Sequence, residues 1–313
     1  MGASMQEVKR RITSTKKTEQ ITGAMQMVST AKLSQVQRHA SSYQVYARKI
    51  RSVITHLAQS HLLDGNPVAA SQTPKKEESE LSGLDMLVKR PVKHFGLLVI
   101  TSDRGLVGSY NSNVIRETMN LIQTGNHSAD DTVIIAIGKV GAKFFEKRGF
   151  NVVFQYTGIE DIPRFRNSRQ IVKKIVSMYN DALYDELYVC YNHFVNMLTS
   201  EFRAEPMLPI SAMNLGRDEL AAENDGFHAE YDMEPSSDAI LKVVLPQYAE
   251  SLIYGAILDA KTAEHASSAT AMKSATDNAD NLIAALNLQF NRARQNAITT
   301  EITEITGAQS ALE

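Results

Sequence analysis

"VITSDRGLVGSYNSNV", Val99 to Val114, decides how this chain is read. An apolar run from Phe95 to Thr101 meets two glycines, Gly105 and Gly108, and Ser109 then stands where a helix would start. A strand that turns through glycines into a helix is how nucleotide-binding sheets hold phosphate, on backbone amides at the helix start. Two details speak against that chemistry here. The glycines form G-L-V-G, not G-x-G-x-x-G, and no Lys follows them as in a P-loop. Asp103 and Arg104 read as turn and salt-bridge residues. The stretch therefore predicts a strand-to-helix turn, with Gly105 and Gly108 serving tight backbone geometry.

Outward from this turn, residues 95–210 alternate strand and helix signals. Strands are expected at 95–101, 132–138 ("TVIIAIG"), 152–157 ("VVFQYT"), 186–194 ("ELYVCYNHF") and about 205–210. Helices are expected at 109–123, 139–148 and 167–184. Such alternation predicts a parallel sheet covered by helices, a small Rossmann-like α/β domain. Cys190, the single cysteine, lies in an apolar run and reads as a buried strand residue. One cysteine excludes an internal disulfide and a cysteine-cluster metal site, and it fits a reduced intracellular setting. The eight histidines show no metal-ligand spacing such as H-E-x-x-H.

Both ends of the chain read as long helices. Residues 3–57 hold no Pro and one Gly. Val36, His39, Tyr43, Tyr46, Ile50, Val53 and Leu57 recur at steps of three and four, the seven-residue repeat of a helix packed along one stripe against another. Val8, Ile12, Ile21, Met25 and Val28 are the apolar residues of the earlier, Thr/Gln/Ser-rich part. Near the other end, Ser236, Ser237 and Asp238 are candidate caps, and Pro246 is expected to kink or restart the helix. Ala279, Ile283, Leu286, Phe290, Ala293 and Ala297 give a second heptad stripe. A helix of 55 residues is about 80 Å long, wider than any compact domain of this size, so much of it must project. Two such helices bury their stripes most economically on each other, as an antiparallel coiled coil. The fold expected is thus α/β with a long antiparallel coiled coil of the terminal helices. Its parts are a helix at 1–60, a linker or insertion at 61–93, the Rossmann-like domain at 94–211, an acidic linker at 212–235 and a helix at 236–313.

Charge narrows the function classes. The whole chain carries a net −2, yet residues 1–60 hold ten Lys and Arg against only Glu7 and Glu19. A basic helix can meet an acidic protein surface, anionic lipid or nucleic acid. Nucleic acid is disfavoured, since no aromatic residue interleaves the charges before Tyr43. No apolar run approaches the eighteen or so residues of a membrane span. "MGASMQEVKRR" lacks the apolar segment of a secretory signal, and Gln6 breaks a myristoylation pattern.

Three segments, in order, carry a resemblance: "RRITSTKKTEQITGAMQMVSTAKL", "ITSDRGLVGSYNSNV" and "AMKSATDNADNLIAALNLQFNRARQNAITTEITEI". Together they resemble the gamma subunit family of F-type ATP synthases, in the bacterial form. The resemblance implies a non-catalytic rotor subunit with no cofactor and no metal. Its paired helices would form the central stalk inside a hexamer of alpha and beta subunits, with the α/β domain near the epsilon subunit and the membrane c-ring. Ion flow through the c-ring would turn it and drive the beta sites to make ATP; hydrolysis would drive the reverse. The implied location is the cytoplasmic side of the cell membrane, peripheral, without a span of its own.

Residue by residue, the resemblance implies subunit contacts at Met25 (beside a beta-subunit lever loop), at the basic Lys9, Lys16 and Lys17, at the Arg294–Gln295 pair, and at Thr299 and Glu301. The sequence departs from the family pattern at Ser268, where other members can carry Arg, and at Val107, where Cys is common. Its 64–90 insertion is longer than usual, and the cysteine pair of the chloroplast form is absent. A nucleotide-dependent oxidoreductase or transferase, and a non-catalytic coiled-coil scaffold, are the competing readings; the scaffold would have a coil richer in Leu.

Overall fold

The computed structural model describes residues 5–63, 86, 89–210 and 237–310, with the side chains of 51–63, 237, 238, 241 and 310 left aside. The insertion at 64–85, the acidic linker at 212–235, the candidate cap Ser236, and the side chains of Val53 and Leu57 lie outside what is described. Ten elements follow in order: α1 (Met5–Leu63), β1 (Phe95–Ile100), α2 (Tyr110–Thr124), β2 (Thr132–Ile137), α3 (Lys139–Lys147), β3 (Asn151–Tyr156), α4 (Phe165–Asn180), β4 (Glu186–Phe194), β5 (Ser200–Leu208) and α5 (Ser237–Ser310). They form two compact units. One comprises residues up to Ala31 together with those from Ser268 onward; the other is Lys32–Ser267.

In the second unit the strands form one sheet in the order β3-β2-β1-β4-β5. The central strands β1 ("FGLLVI") and β2 ("TVIIAI") are buried at every residue, as strands covered on both faces must be. Parity sorts their side chains. Leu98, Ile100, Ile135, Ile137 and Val189 join α4 and α5 residues such as Ile175, Tyr179, Ile253 and Ile257 on one face. Leu97, Val99, Ile134, Ala136 and Cys190 join Val114, Ile122 and Phe145 of α2 and α3 on the other. Cys190 is fully buried, and burial pushes its thiol up to about 12.

The sheet is not wholly parallel. β5 runs antiparallel to β4, from Ser200, earlier than the expected 205. The reason is a tight hairpin: the Asn196 side-chain oxygen accepts the backbone N–H of Leu198 and of Thr199, both at 2.9 Å. α4 also stops at Asn180 rather than 184, where Ala182 turns into the left-handed region (φ 54°). At the far end α5 passes through Pro246 and continues, so no restart occurs there.

α1 packs on this unit with a stripe shifted from the expected one. Leu33, Val36, Ala40, Tyr43, Ala47 and Ile50 are the buried or half-buried positions, whereas His39 and Tyr46 are exposed. Alanines sit where a bulky side chain was expected because α1 lies close against its neighbour: Val36 clusters with Tyr254 and Leu258, and Tyr43 meets Tyr254 edge-on at 4.7 Å. The Tyr43 hydroxyl donates to Ser251.

Three ionic ties hold other elements of the unit together. Arg169 of α4 grips both oxygens of Glu250 at 3.2 and 3.0 Å. Lys32 of α1 pairs with Asp161 at 2.7 Å, and His193 Nδ1 lies 2.5 Å from Asp259 Oδ2.

Candidate functional site

The strand-end turn is built from side chains that serve the backbone. Asp103 accepts the N–H of Lys139 at 3.0 Å and of Gly158 at 2.8 Å, joining the loops after β1, β2 and β3. It works as a backbone staple rather than the expected salt-bridge residue. Asn111 takes the N–H of Ser102 at 2.9 Å, and Thr101 Oγ1 takes that of Gly141 at 2.9 Å. Gly108 adopts φ 56° and justifies its glycine; Gly105 does not, since a Cβ there would meet nothing within 4 Å and Leu106 makes the left-handed turn itself (φ 65°).

Sheets of this order take ligands in the crevice beyond the strand carboxyl ends. Here α5 fills it. Ala263 packs with Val107 and Tyr110 of the turn and with Phe194. Ile257, Ala260, Lys261 and Glu264 close over Ile100, Thr101, Asp103 and Gly138, leaving about 10 Å³, room for one water. Lys261 and Glu264, both nearly buried, pair with each other at 2.9 Å.

Behind them His265 is buried beside Asp161. Burial lowers the imidazole below its ordinary value. At Asp161 burial pushes the carboxyl up, but the hydrogen bond and charge of Lys32, with His265 and Lys261, hold it below the usual range. A wider groove of about 530 Å³ is lined by α1, β4, β5 and α5, among them Tyr43, Tyr191, His193, Arg203, Glu205 and Asp259. Its charged groups are mutually occupied: the Tyr191 hydroxyl donates to Glu205 at 3.1 Å, Arg203 lies 3.6 Å from Glu205, and His193 meets Asp259.

All the expected contact residues fall in the other unit, where α1 and α5 run antiparallel. Thr22 meets Thr276, and Ser29, seven residues on, meets Ser268. Buried and half-buried positions on α1 are Val8, Ile12, Thr15, Glu19, Thr22, Gly23, Met25, Gln26 and Ser29; Ile21 and Val28, apolar residues of the same stretch, are exposed. On α5 they are Ser268, Ala269, Thr270, Ala271, Met272, Ala275, Thr276, Ala279, Ile283, Leu286, Phe290 and Ala293, while Ala297 is exposed. The sequence reading missed the hydroxyl and alanine positions. The signal was there, in small residues that keep the three-and-four spacing of Val8 and Ile12.

Met25 is thus half-buried at the seam, and Lys9, Lys16 and Lys17 project from α1 into solvent. Counting by heptads from Thr22–Thr276 places Thr15 at Ile283, Val8 at Phe290 and Met5 at Ala293. Arg294, Gln295, Thr299 and Glu301 therefore stand together beyond the first described residue of α1, apart from the lysines. From residue 294 to 309 every described side chain is exposed. Over this stretch of about 24 Å, no other described residue covers α5.

Its hydroxyls bond to its own backbone: Thr299 to Gln295 O, Thr300 to Asn296 O, Thr303 to Thr299 O and Thr306 to Ile302 O, at 2.8–2.9 Å. Beside them Ile298, Ile302 and Ile305 are 49%, 56% and 67% exposed and share one face.

Comparison with known proteins fits this architecture. A family model described as ATP synthase matches residues 4–312. The ATP synthase gamma chain of Ligilactobacillus salivarius is 67% identical over 313 residues, covering the whole of both chains. The chain belongs to the ATP synthase gamma chain family. The gamma chain of Lactiplantibacillus plantarum is 56% identical over 322 residues, again over both full lengths. Members of this family are non-catalytic subunits of the synthase, in keeping with a crevice filled by the chain's own helix.

Among solved structures, a chain of the Tetrahymena thermophila mitochondrial ATP synthase central stalk and c-ring matches with TM-score 0.58 at 24% identity, covering 82% of this chain and 99% of that one. A chain of the Euglena gracilis mitochondrial ATP synthase rotor matches with TM-score 0.62 at 15% identity, covering 94% and 98%. These two share the gamma-chain fold. Among the described residues no helix is long and apolar enough to cross a membrane.

Proposed function

We propose that this gamma chain is the central-stalk rotor of an F-type ATP synthase. It couples ion flow through the membrane c-ring to the cycling of beta catalytic sites, and runs in reverse as an ATP-driven ion pump. The observation that carries the reading is the solitary end of α5. A lone helix of this length is marginal in water, and its exposed isoleucine face asks for a partner surface. A ring of alpha and beta subunits supplies one. Arg294, Gln295, Thr299 and Glu301 lie on the same segment and are the contacts this reading assigns there.

Lys9, Lys16 and Lys17 are exposed and meet acidic beta-subunit segments in this reading, and Met25, half-buried at the seam, lies about 12 Å further along α1 than Lys17. Exposed ion pairs contribute only about 0–1 kcal/mol each, which suits contacts that break and reform at every step. Threonines bonded to their own backbone make few fixed demands on a passing surface. The same reading places epsilon and the c-ring against the α/β region, divides the chain into helices at 1–60 and 236–313 around a domain at 94–211, and sets the protein peripherally on the cytoplasmic side of the cell membrane.

The test is a chain ending at Ala293. Because residues 294–309 are exposed and pack on none of the other described residues, its thermal midpoint stays that of the full chain. In reconstituted vesicles carrying an ion gradient, ATP synthesis falls. Synthesis at the full-length rate would overturn the reading.

A further inference from the structure

We propose that two half-buried hydroxyl pairs, Thr22 with Thr276 and Ser29 with Ser268, fix the register and relative rotation of the two helices, and are positioning residues for torque transmission. The register part stands on the geometry of this unit alone; the torque part rests on the rotor reading.

Most hydroxyls of this helix pair turn back to their own helix, as Thr13 does to Lys9 O, Thr15 to Arg11 O and Thr30 to Gln26 O. These four reach across. Thr276 Oγ1 donates to Thr22 Oγ1 at 2.8 Å, and the Ser29 and Ser268 hydroxyls lie 3.1 Å apart. The threonines are also aimed by their own helices: Thr22 donates to Glu19 O at 3.0 Å and Thr276 lies 3.0 Å from Met272 O. Ser29 is 8% exposed, so its hydroxyl has little access to water.

The surrounding seam gives little steric grip. Besides the unbranched, flexible Met25 and Met272, its α5 neighbours are Ala269, Ala275 and Ala279, and methyl groups interdigitate too shallowly to resist a slide or a twist. A hydroxyl pair is less tolerant. One residue of slip moves a helix about 1.5 Å, enough to take either contact out of hydrogen-bond range. Two pairs, seven residues apart on α1 and eight on α5, define a line where one would leave a pivot. Polar pairs in an otherwise apolar seam characteristically cost stability and specify alignment. The change to look for is therefore loss of alignment without loss of stability.

The test uses the full chain with Cys190→Ala and spin labels on Arg10→Cys and Asp277→Cys, both exposed sites on opposite helices. Distances are read by double electron–electron resonance. In T22V/T276V/S29A/S268A the distance distribution widens about twofold while helicity and thermal midpoint do not fall. In T22S/T276S, which keeps the hydroxyls, it stays narrow. A narrow distribution in the quadruple variant would overturn the proposal, as would equal widening in the serine control. Should the quadruple variant fail to fold, S29A/S268A alone is judged by the same criteria. In the reconstituted synthase, ion pumping per ATP drops in step with the widening. Widening with unchanged pumping would uphold the register lock and overturn its torque role; the rotor reading itself stands or falls on the chain ending at Ala293.

Discussion

Arg169→Ala tests the energetics of the sheet unit most sharply. The Arg169 guanidinium meets both Glu250 oxygens at 3.0–3.2 Å, but the two partners are unequally placed: Arg169 is 52% exposed and Glu250 only 7%. Removing Arg169 leaves a buried carboxylate without its cation. A fully buried pair broken this way costs about 3–5 kcal/mol. Half the guanidinium already faces water, which discounts the loss to about 2–3 kcal/mol. Glu250→Gln leaves instead a cation that water can reach, and costs about 1 kcal/mol or less. The double variant R169A/E250Q should be more stable than R169A alone, because no buried charge remains.

The assay is urea unfolding followed by near-UV circular dichroism. The chain has no Trp, and Tyr110, Tyr179 and Tyr184, fully buried in this unit, report its packing. With a urea slope of about 3 kcal/mol per molar, R169A lowers the midpoint by about 0.8 M and E250Q by about 0.3 M or less. Equal shifts for the two single variants, or strict additivity in the double, would refute the argument from unequal burial.

Other predictions are simpler. Gly138→Ala should cost about 3–5 kcal/mol, since Gly138 has φ 98° and a Cβ would stand 2.1 Å from Thr101 O; a chemical-denaturation midpoint near the parent's would contradict it. His265 is held neutral by burial, so below its ordinary value near 6.5 the unfolded chain binds the proton more readily than the fold does. Stability should fall as pH drops through that value, and H265Q should flatten the curve between pH 7 and 5; an unaltered slope counts against it. Cys190, buried with its thiol pushed up to about 12, should react with a thiol reagent only as fast as the sheet unit opens; immediate labelling in native buffer would disprove that.

How much of this was legible depended on what each residue type signals. Strands β1, β2 and β4 were readable because strands buried on both faces need unbroken apolar runs. β5 was placed late because "SEFRAEPML" alternates charge and apolarity at a sheet edge, and its turn is made by Asn196 rather than by glycine. The helix stripes were half legible. Bulky residues drew the reading to His39 and Tyr46, whereas close helix contact covers Ala40, Ala47, Thr22 and Ser29 at least in part. Periodicity of size, not of hydrophobicity, was the signal. Of the expected contact residues all but the half-buried Met25 are exposed, and one chain's packing does not tell an exposed contact residue from a solvated one. Exposed isoleucines beyond Ala293 share their segment with four of the expected residues, Arg294, Gln295, Thr299 and Glu301.

The crevice closed by α5 has a consequence of its own. A binding sheet ordinarily gains and loses its ligand according to concentration. Here the occupant is a segment of the same polypeptide, so its local concentration is set by the connecting chain and cannot be diluted. No free nucleotide at cellular levels competes for that seat without first displacing Ile257, Ala260 and Ala263 together. The sheet has become a permanent socket for one helix, insulated from the nucleotide pool.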